Sequence, residues 1–343
     1  MDVTVLRGDP EEIGHQHGER LRKQIALNWQ FYSQSMFNNQ LAFIENYGNQ
    51  YLRAIKTFSD EYAIEIAALA KGAQMPTWQI AALNARTEIL HRLNSISIGE
   101  CTALYLPAQR VLGQNWDWMS QSEPLIAILK IERADGHKIL QMTEPGIIGK
   151  IGLNSKGLGV CLNIIPGRQS PVAVPIHIML RAILDSDTLQ AATDKLSQAA
   201  HGSFSNILMA DNSGDFVDIE LSGTDMATVD YGDRLPVHTN HFLSHLKDKP
   251  DQPTNPELEN SMTRHKRGTA LTMQLDAIAG IPQMQSILAD GDDPQHPICR
   301  PYKPRLEFMV GTVSSVVMDL PSQTLHVTRG SPAQSPYEQF SLR

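Results

Sequence analysis

The chain has 343 residues, 41% of them apolar, enough to bury a large core as one big domain or two. Its formal net charge of −8 argues against a general nucleic-acid binder. No apolar run approaches the roughly 20 residues of a membrane-spanning helix, so no membrane partner is expected. The N-terminus "MDVTVLRGDPEEIG" lacks a basic segment followed by an apolar one, so no secretory signal is expected. Three widely spaced cysteines, Cys101, Cys161 and Cys299, form neither a disulfide framework nor a zinc pattern. The reading is a protein of a reducing, cytoplasmic setting without a metal or other cofactor.

In chain order, residues 11–35 and 38–74 carry helical periodicity, and "MPTWQIAALNARTEIL" reads as a third helix with Pro76 at its start. The first hundred residues are therefore expected to be mostly helical. After residue 98 the period changes. "TALYLP", "VLGQNWDW", "LIAILKIER", "HKILQMT" and "GLGVCLNII" read as short strands separated by turn residues. "VPIHIMLRAILDS" and "DTLQAATDKLSQAA" return to helical spacing. Strands resume at "FSNILMAD", "DFVDIELS", "MATVDYG" and "LPVHTN", and 247–256 is a Pro-rich exposed loop. Helical segments at 257–275 and about 281–290 precede the strands "FMVGTVSSVVMDL" and "TLHVTRG". The basic cluster "RHKR" at 264–267 reads as a solvated helix face. Adjacent hairpins with helices grouped between them point to an α+β layered fold, and no Gly-rich nucleotide loop opens a helix after a strand.

Cys101 heads the first strand after the helical stretch. A thiol there needs a base or a lowered pKa to act as a nucleophile. The signature of a papain-type cysteine on a helix is missing. Cutting the backbone just before the cysteine is another solution, because the released α-amine titrates near ~7.7–8.0 and can serve as base to the thiol of its own residue. Taken alone, Cys101 reads equally as core packing, Asp117 as a turn former, and Asn240 and His241 as loop residues. Arg300 taken alone reads as a surface ion pair, and Asn163 as satisfying a strand end. Cys161 and Cys299 read as packing, Trp116 and Trp118 as core or pocket wall.

"GECTALYL", "GQNWDW", "TEPGIIGKIGLNSKGLGVCLN", "PVHTNHFL", "SMTRHKR" and "PICRPY", in this order, resemble the acyl-coenzyme A:isopenicillin N acyltransferase family of self-cleaving N-terminal nucleophile (Ntn) hydrolases. "GDPEEIGHQHG" and "IAALNARTEIL" extend the resemblance over the first hundred residues. It implies a four-layer αββα sandwich in which two sheets lie between helices. It also implies a helical prosegment, residues 1–100, that becomes the small fragment, and a catalytic core, 101–343, that becomes the large one. By the same resemblance Cys101 is the nucleophile and the Glu100–Cys101 bond is cut. Asp117 orients the α-amine, and Asn240 and the Asn163 backbone N–H form the oxyanion hole. Arg300 is the guanidinium beside the nucleophile. Gln114, which falls where some relatives carry an arginine, and Trp118 are assigned to substrate binding. Glu100 departs from the pattern, standing where the penicillin-converting enzyme has glycine.

The activity so implied is hydrolysis of the amide of a small N-acyl compound through a Cys101 thioester, the two fragments staying associated. Acyl transfer from a thioester such as acyl-coenzyme A, or from an amide, to an amine is the alternative. A third is an unprocessed, non-catalytic binding protein on the same fold. A homo-oligomer is left open.

Overall fold

The computed structural model describes residues 1–93, 100–167, 170–249, 257–276, 278–305 and 307–343. Most of the loop expected at 247–256 lies outside the described residues. The first ninety-three residues form strand β1 (Val3–Gly8), helices α1 (Pro10–Arg20) and α2 (Arg22–Gln30), and a π-helical stretch, Phe31–Met36. They continue through α3 (Leu41–Phe58), α4 (Asp60–Ala73), α5 (Thr77–Asn84) and α6 (Arg86–Arg92). The start of α1 is set by a capping box: Asp9 Oδ1 accepts from Glu12 N at 2.9 Å, and Glu12 Oε2 accepts from Asp9 N at 3.0 Å. β1 was not legible as a strand. It lies parallel to β4, whose partnership a linear reading of "VTVLRG" does not reveal.

The rest alternates strands and helices: β2 (Glu100–Leu106), β3 (Val111–Met119), β4 (Ala127–Arg133), β5 (Lys138–Thr143), β6 (Ile151–Asn154) and β7 (Gly159–Ile164). Then come α7 (Ile176–Leu184), α8 (Leu189–Gln198), β8 (Ser203–Ala210), β9 (Phe216–Gly223), β10 (Asp225–Thr228) and the two-residue β11 (Val237–His238). α9 (Leu258–Thr272), α10 (Ile281–Leu288), β12 (Lys303–Arg305), β13 (Phe308–Asp319), β14 (Thr324–Val327) and β15 (Glu338–Ser341) complete the chain.

One sheet runs β1-β4-β5-β6-β7-β8-β9-β10, the other β11-β2-β3-β13-β14-β15 with β12 on β13. The sheets meet face to face, β2 and β3 against β7, β13 against β6, β14 against β5. Helices α1, α7 and α8 cover the outer face of the first sheet; α9 and α10 cover that of the second. This is the four-layer αββα sandwich the resemblance implies. Strands enclosed on both faces lose the polar alternation of a surface strand, and every residue of β3 and of β8 is buried.

The spacing of "GHQHG" has a physical reason. α1 crosses α4 so closely that a Cβ on Gly14 would lie 2.1 Å from Glu65 O, and one on Gly18 2.1 Å from Leu69 O. Gly14→Ala is expected to force the helices apart and lower stability by ~1–3 kcal/mol, read as a lower urea midpoint.

His17, on the buried face of α1, accepts a hydrogen bond from Gly146 N at 3.2 Å through Nε2, which fixes it as neutral. Burial, with a smaller push from Arg181, lowers its pKa to about 3. The unfolded chain binds a proton here below ~6.5 while the fold does not, so stability falls as pH drops from that value toward the folded one. His17→Gln should flatten this slope by up to ~1.4 kcal/mol per pH unit, measured by urea unfolding across the window.

Candidate active site

β11 pairs with β2 only at Val237–Leu104 and His238–Ala103. Carried further, the same register would set Asn240 opposite Cys101, but the ladder ends at His238. Cys101 therefore needs partners other than a strand for its backbone N–H and C=O on that edge. Asn240 Oδ1 accepts from Cys101 N at 2.7 Å, and Arg264 Nη1 donates to Cys101 O at 2.6 Å. The same guanidinium reaches Thr102 Oγ1 at 2.9 Å, Asn240 Oδ1 at 2.9 Å and, through Nε, Asn260 Oδ1 at 2.8 Å. Asn240 Nδ2 donates to Ile164 O of β7 at 2.7 Å, tying the clamp to the opposite sheet.

One turn before Arg264 on α9, Ser261 accepts from Asn240 N at 2.8 Å and donates to Thr239 Oγ1 at 2.9 Å. Two positions of one helix face thus fix the segment that carries Asn240. The reading of 264–267 as a solvated face is corrected here: α9 forms, but Arg264 is fully buried. The signal present in the sequence was Ser261, Arg264 and Gly268, spaced so that one face carries small residues around a single cation.

Partners directly opposite on β2 and β3 share a face of the sheet. Cys101 stands opposite Trp116 and Ala103 opposite Gln114. Gln114 projects between the sheets, where its Oε1 accepts from Leu162 N at 2.8 Å and its Nε2 donates to Leu162 O. Both ends of its amide thus brace β3 against β7, and in this chain it acts as a strut. Trp118, on the same face, donates from Nε1 to Tyr32 Oη at 3.0 Å.

Asp117 shares the other face with Asn115, whose Nδ2 donates to Leu288 O of α10 at 2.7 Å. Asp117 stands opposite Glu100 in the ladder, and the side chain of Glu100 lies outside the described residues. Asp117 Oδ1 accepts from Thr312 Oγ1 at 2.6 Å. That hydroxyl in turn accepts from Arg300 N at 2.9 Å, and Thr312 N donates to Arg300 O at 3.0 Å. Arg300 is thereby brought to the Asp117 side of β3 through its backbone.

Asn163, on β7 opposite Asn206, donates from Nδ2 to Asn206 Oδ1 at 2.8 Å. Asn206 donates on to Asp218, which also accepts from Tyr231 Oη at 2.5 Å. Beside this chain, His238 Nε2 lies 2.7 Å from Glu220 Oε1, and Glu220 accepts from the N–H groups of Leu243 and Ser244 at 2.6 and 3.0 Å.

Cys101 is 4% exposed. Burial, then the Asp117 charge, pushes its thiol up to about 11, while a hydrogen bond from Asp117 N, the Arg264 charge and the Gln114 side chain pull the other way. The structure thus gathers Cys101, Asp117, Asn240, Gln114 and, on the facing strand, Asn163 around one strand end. Sequence reasoning missed Arg264, Ser261 and Thr312, the groups that hold the others in place. Among the described residues no group of histidine, cysteine, aspartate and glutamate could hold a metal ion, and no helix is long and apolar enough to cross a membrane.

The sequence pattern of the family described as acyl-coenzyme A:6-aminopenicillanic acid acyl-transferase matches residues 106–334. That span includes Asp117, Asn163, Asn240, Arg264 and Arg300. The acyl-coenzyme A:6-aminopenicillanic-acid-acyltransferase 40 kDa form of Emericella nidulans is 30% identical, over 99% of this chain and 95% of that protein. Among solved structures, a Caenorhabditis elegans ortholog of N-acylethanolamine-hydrolyzing acid amidase is 18% identical with a TM-score of 0.44, covering 64% of this chain and 92% of that one. A conjugated bile acid hydrolase of Clostridium perfringens is 12% identical with a TM-score of 0.48, covering 72% and 97%.

Arg264→Met removes the fork from Cys101 O, Thr102 and Asn240 at once. Each charge-assisted hydrogen bond is worth ~1.5–3 kcal/mol, so a loss of at least that size is expected in urea unfolding, with Arg264→Lys intermediate. An unchanged midpoint for the methionine variant would show that the clamp bears no load.

Proposed function

The chain belongs to the acyl-coenzyme A:6-aminopenicillanic acid acyl-transferase family, and from that premise we propose that it is a self-cleaving cysteine amidohydrolase acting on a small N-acyl compound. The observation that carries the reading is the double clamp on Cys101, N–H to Asn240 and C=O to Arg264. Side chains from the loop after β11 and from α9 hold this residue, so its position does not depend on the chain that precedes it. A residue meant to become a new N-terminus needs that arrangement.

In the uncut chain the Cys101 thiolate attacks the Glu100 carbonyl carbon. The resulting oxyanion collapses, the C–N bond breaks, and the Cys101 nitrogen takes up a proton. The product is a thioester, which water opens to a Glu100 carboxylate, regenerating the thiol beside a free α-amine. With Asp117 as its carboxylate partner, that amine takes the thiol proton in each later turnover. The thiolate then attacks the amide carbonyl of the substrate, the amine leaves with the proton, and water hydrolyses the acyl-enzyme.

Asn240 Nδ2 carries two hydrogens, of which one goes to Ile164 O. The Asn240 side-chain amide is assigned to the developing oxyanion, whereas the Asn163 N–H points, like that of Ile165, toward β8, where the ladder pairs Asn163 with Asn206. Trp118 and Gln114 are assigned to the wall on the side facing β7, and Arg300 to the approach on the Asp117 side.

A second reading is favoured by the names that the family and its Emericella nidulans member carry: the acyl-enzyme is resolved by an amine, with an acyl-coenzyme A or an amide as donor. Residues 1–100 and 101–343 would be the small and large fragments. Hydrogen bonds from Tyr32 and Arg86 to Glu144 support their staying together.

Cys101→Ala should give one uncut chain with no turnover, read by intact mass; a variant still cut after residue 100 would refute the mechanism. Asn240→Ala should lower kcat by ~10²–10³ with a smaller change in KM. Assays with and without an added acceptor amine separate the two readings: a new amide forms only if acyl transfer operates.

A further inference from the structure

Asn240 sits in the loop that follows β11, and that loop folds around one fully buried ring, His238. His238 stands opposite Ala103 in the ladder, and Ala103 stands opposite Gln114, which projects between the sheets. The ring therefore points across the sandwich, from the second sheet toward β9 of the first. Its Nδ1 lies 2.8 Å from Thr239 O and its Nε2 2.7 Å from Glu220 Oε1. These partners fix its proton count. A carbonyl oxygen has no proton to give, so the bond to Thr239 O requires a hydrogen on Nδ1. Glu220 Oε1 also accepts from Leu243 N at 2.6 Å, and Oε2 accepts from Ser244 N at 3.0 Å. Backbone donors on both oxygens favour the ionised carboxylate, so the hydrogen between Glu220 and Nε2 belongs to the ring. His238 is an imidazolium paired with a carboxylate, and both are withdrawn from water.

What this pair holds is the backbone around Asn240. The peptide group linking Thr239 to Asn240 is fixed at both ends, its C=O by His238 Nδ1 and its N–H by Ser261 Oγ at 2.8 Å. Three and four residues beyond Asn240, the N–H groups of Leu243 and Ser244 close on Glu220. The loop thus enters and leaves on a single ion pair, with the Asn240 side chain between the two points of attachment.

We propose that His238 is a positioning residue for Asn240: as an imidazolium it spans Thr239 O and Glu220, and so aims the Asn240 amide at the reacting carbonyl. The inference rests on the role proposed for Asn240 in turnover. The charged and titratable groups facing the ring are Glu220 and Asp218 from β9, His241 from the same loop and His265 from α9, with Tyr231 bonded to Asp218. Burial pushes His238 down, but Asp218 and Glu220 outweigh it, and the net shift is upward. Burial pushes Glu220 up, and His238 outweighs that in turn, so the carboxyl is lowered. Burial, then the His238 charge, lowers His241 to about 3 and His265 to about 4, which leaves His238 as the charged ring of the three at neutral pH. The unfolded ring titrates near ~6.5, so the clamp is complete below that value and is lost as pH rises through the higher folded one.

Two measurements on the full chain test this. Nitrogen NMR of protein labelled at histidine, with the His238 signals identified by their loss in His238→Gln, should show both ring nitrogens protonated about one pH unit above the free-ring value of ~6.5. One bare nitrogen there would overturn the proposal. In kinetics, His238→Gln should lower kcat about tenfold, short of the ~10²–10³ expected for Asn240→Ala, with KM changed less. Because His238 acts through Asn240, adding His238→Gln to Asn240→Ala should slow turnover no further. An unchanged kcat in the single variant, or a double variant slowed by the product of both factors, also overturns it. If His238→Gln does not fold, the wild-type spectrum decides: no doubly protonated ring at that pH means no imidazolium clamp. An Asn240→Ala enzyme with unchanged kcat would instead sink the oxyanion reading, and the titration of the ring would be unaffected by that result.

Discussion

The site depends on one interruption in a β-ladder. β11 stops two residues short of Cys101, and a strand end left unpaired in a buried place must find polar partners elsewhere. Asn240 and Arg264 supply them. Had β11 run on to Asn240, its backbone would have bonded Cys101, and neither the Asn240 amide nor the Arg264 guanidinium would be needed at that N–H and C=O. The short strand thus converts a routine ladder position into one held by chemistry-bearing groups.

That substitution propagates outward. Arg264 can be buried because α9 offers small neighbours and because three oxygens, two from β2 and one from the loop after β11, converge on its fork. Ser261 fixes the same segment from one turn away, and Asn240 carries the restraint across to β7. On the other side of β3, Thr312 links Asp117 to the Arg300 backbone. The groups at the site are thus held by hydrogen bonds from a helix, from the facing sheet and from neighbouring strands of their own sheet, which is how a sandwich of two buried sheets makes a rigid polar centre.

The first ninety-three residues are part of that rigidity. They pack helices on the first sheet, add an edge strand to it, and satisfy the buried 144–150 loop with side chains from α1, α2, the π-helical stretch, α5 and α6. The cluster of Tyr32, Arg86, Glu144 and Lys150 is the point where this N-terminal stretch and the two-sheet core share charge.

The sequence by itself determined most of the helices and strands after residue 98, though not the short β6, β12 and β15, together with the position of Cys101 near a strand head and the set of residues worth suspecting, because periodicity and motif order are local properties. It did not reveal β1, whose hydrogen-bond partner lies more than a hundred residues away. It also misjudged Arg264, since a basic run on a helix looks solvated until the elements packed against it are known. Burial was the missing quantity: whether Gln114 is a strut, whether Arg264 is a clamp, and which strand faces Cys101 are set by how two sheets and their helices close on one another. Only the tertiary structure decides which polar groups are withdrawn from water, and those groups must then bond to one another.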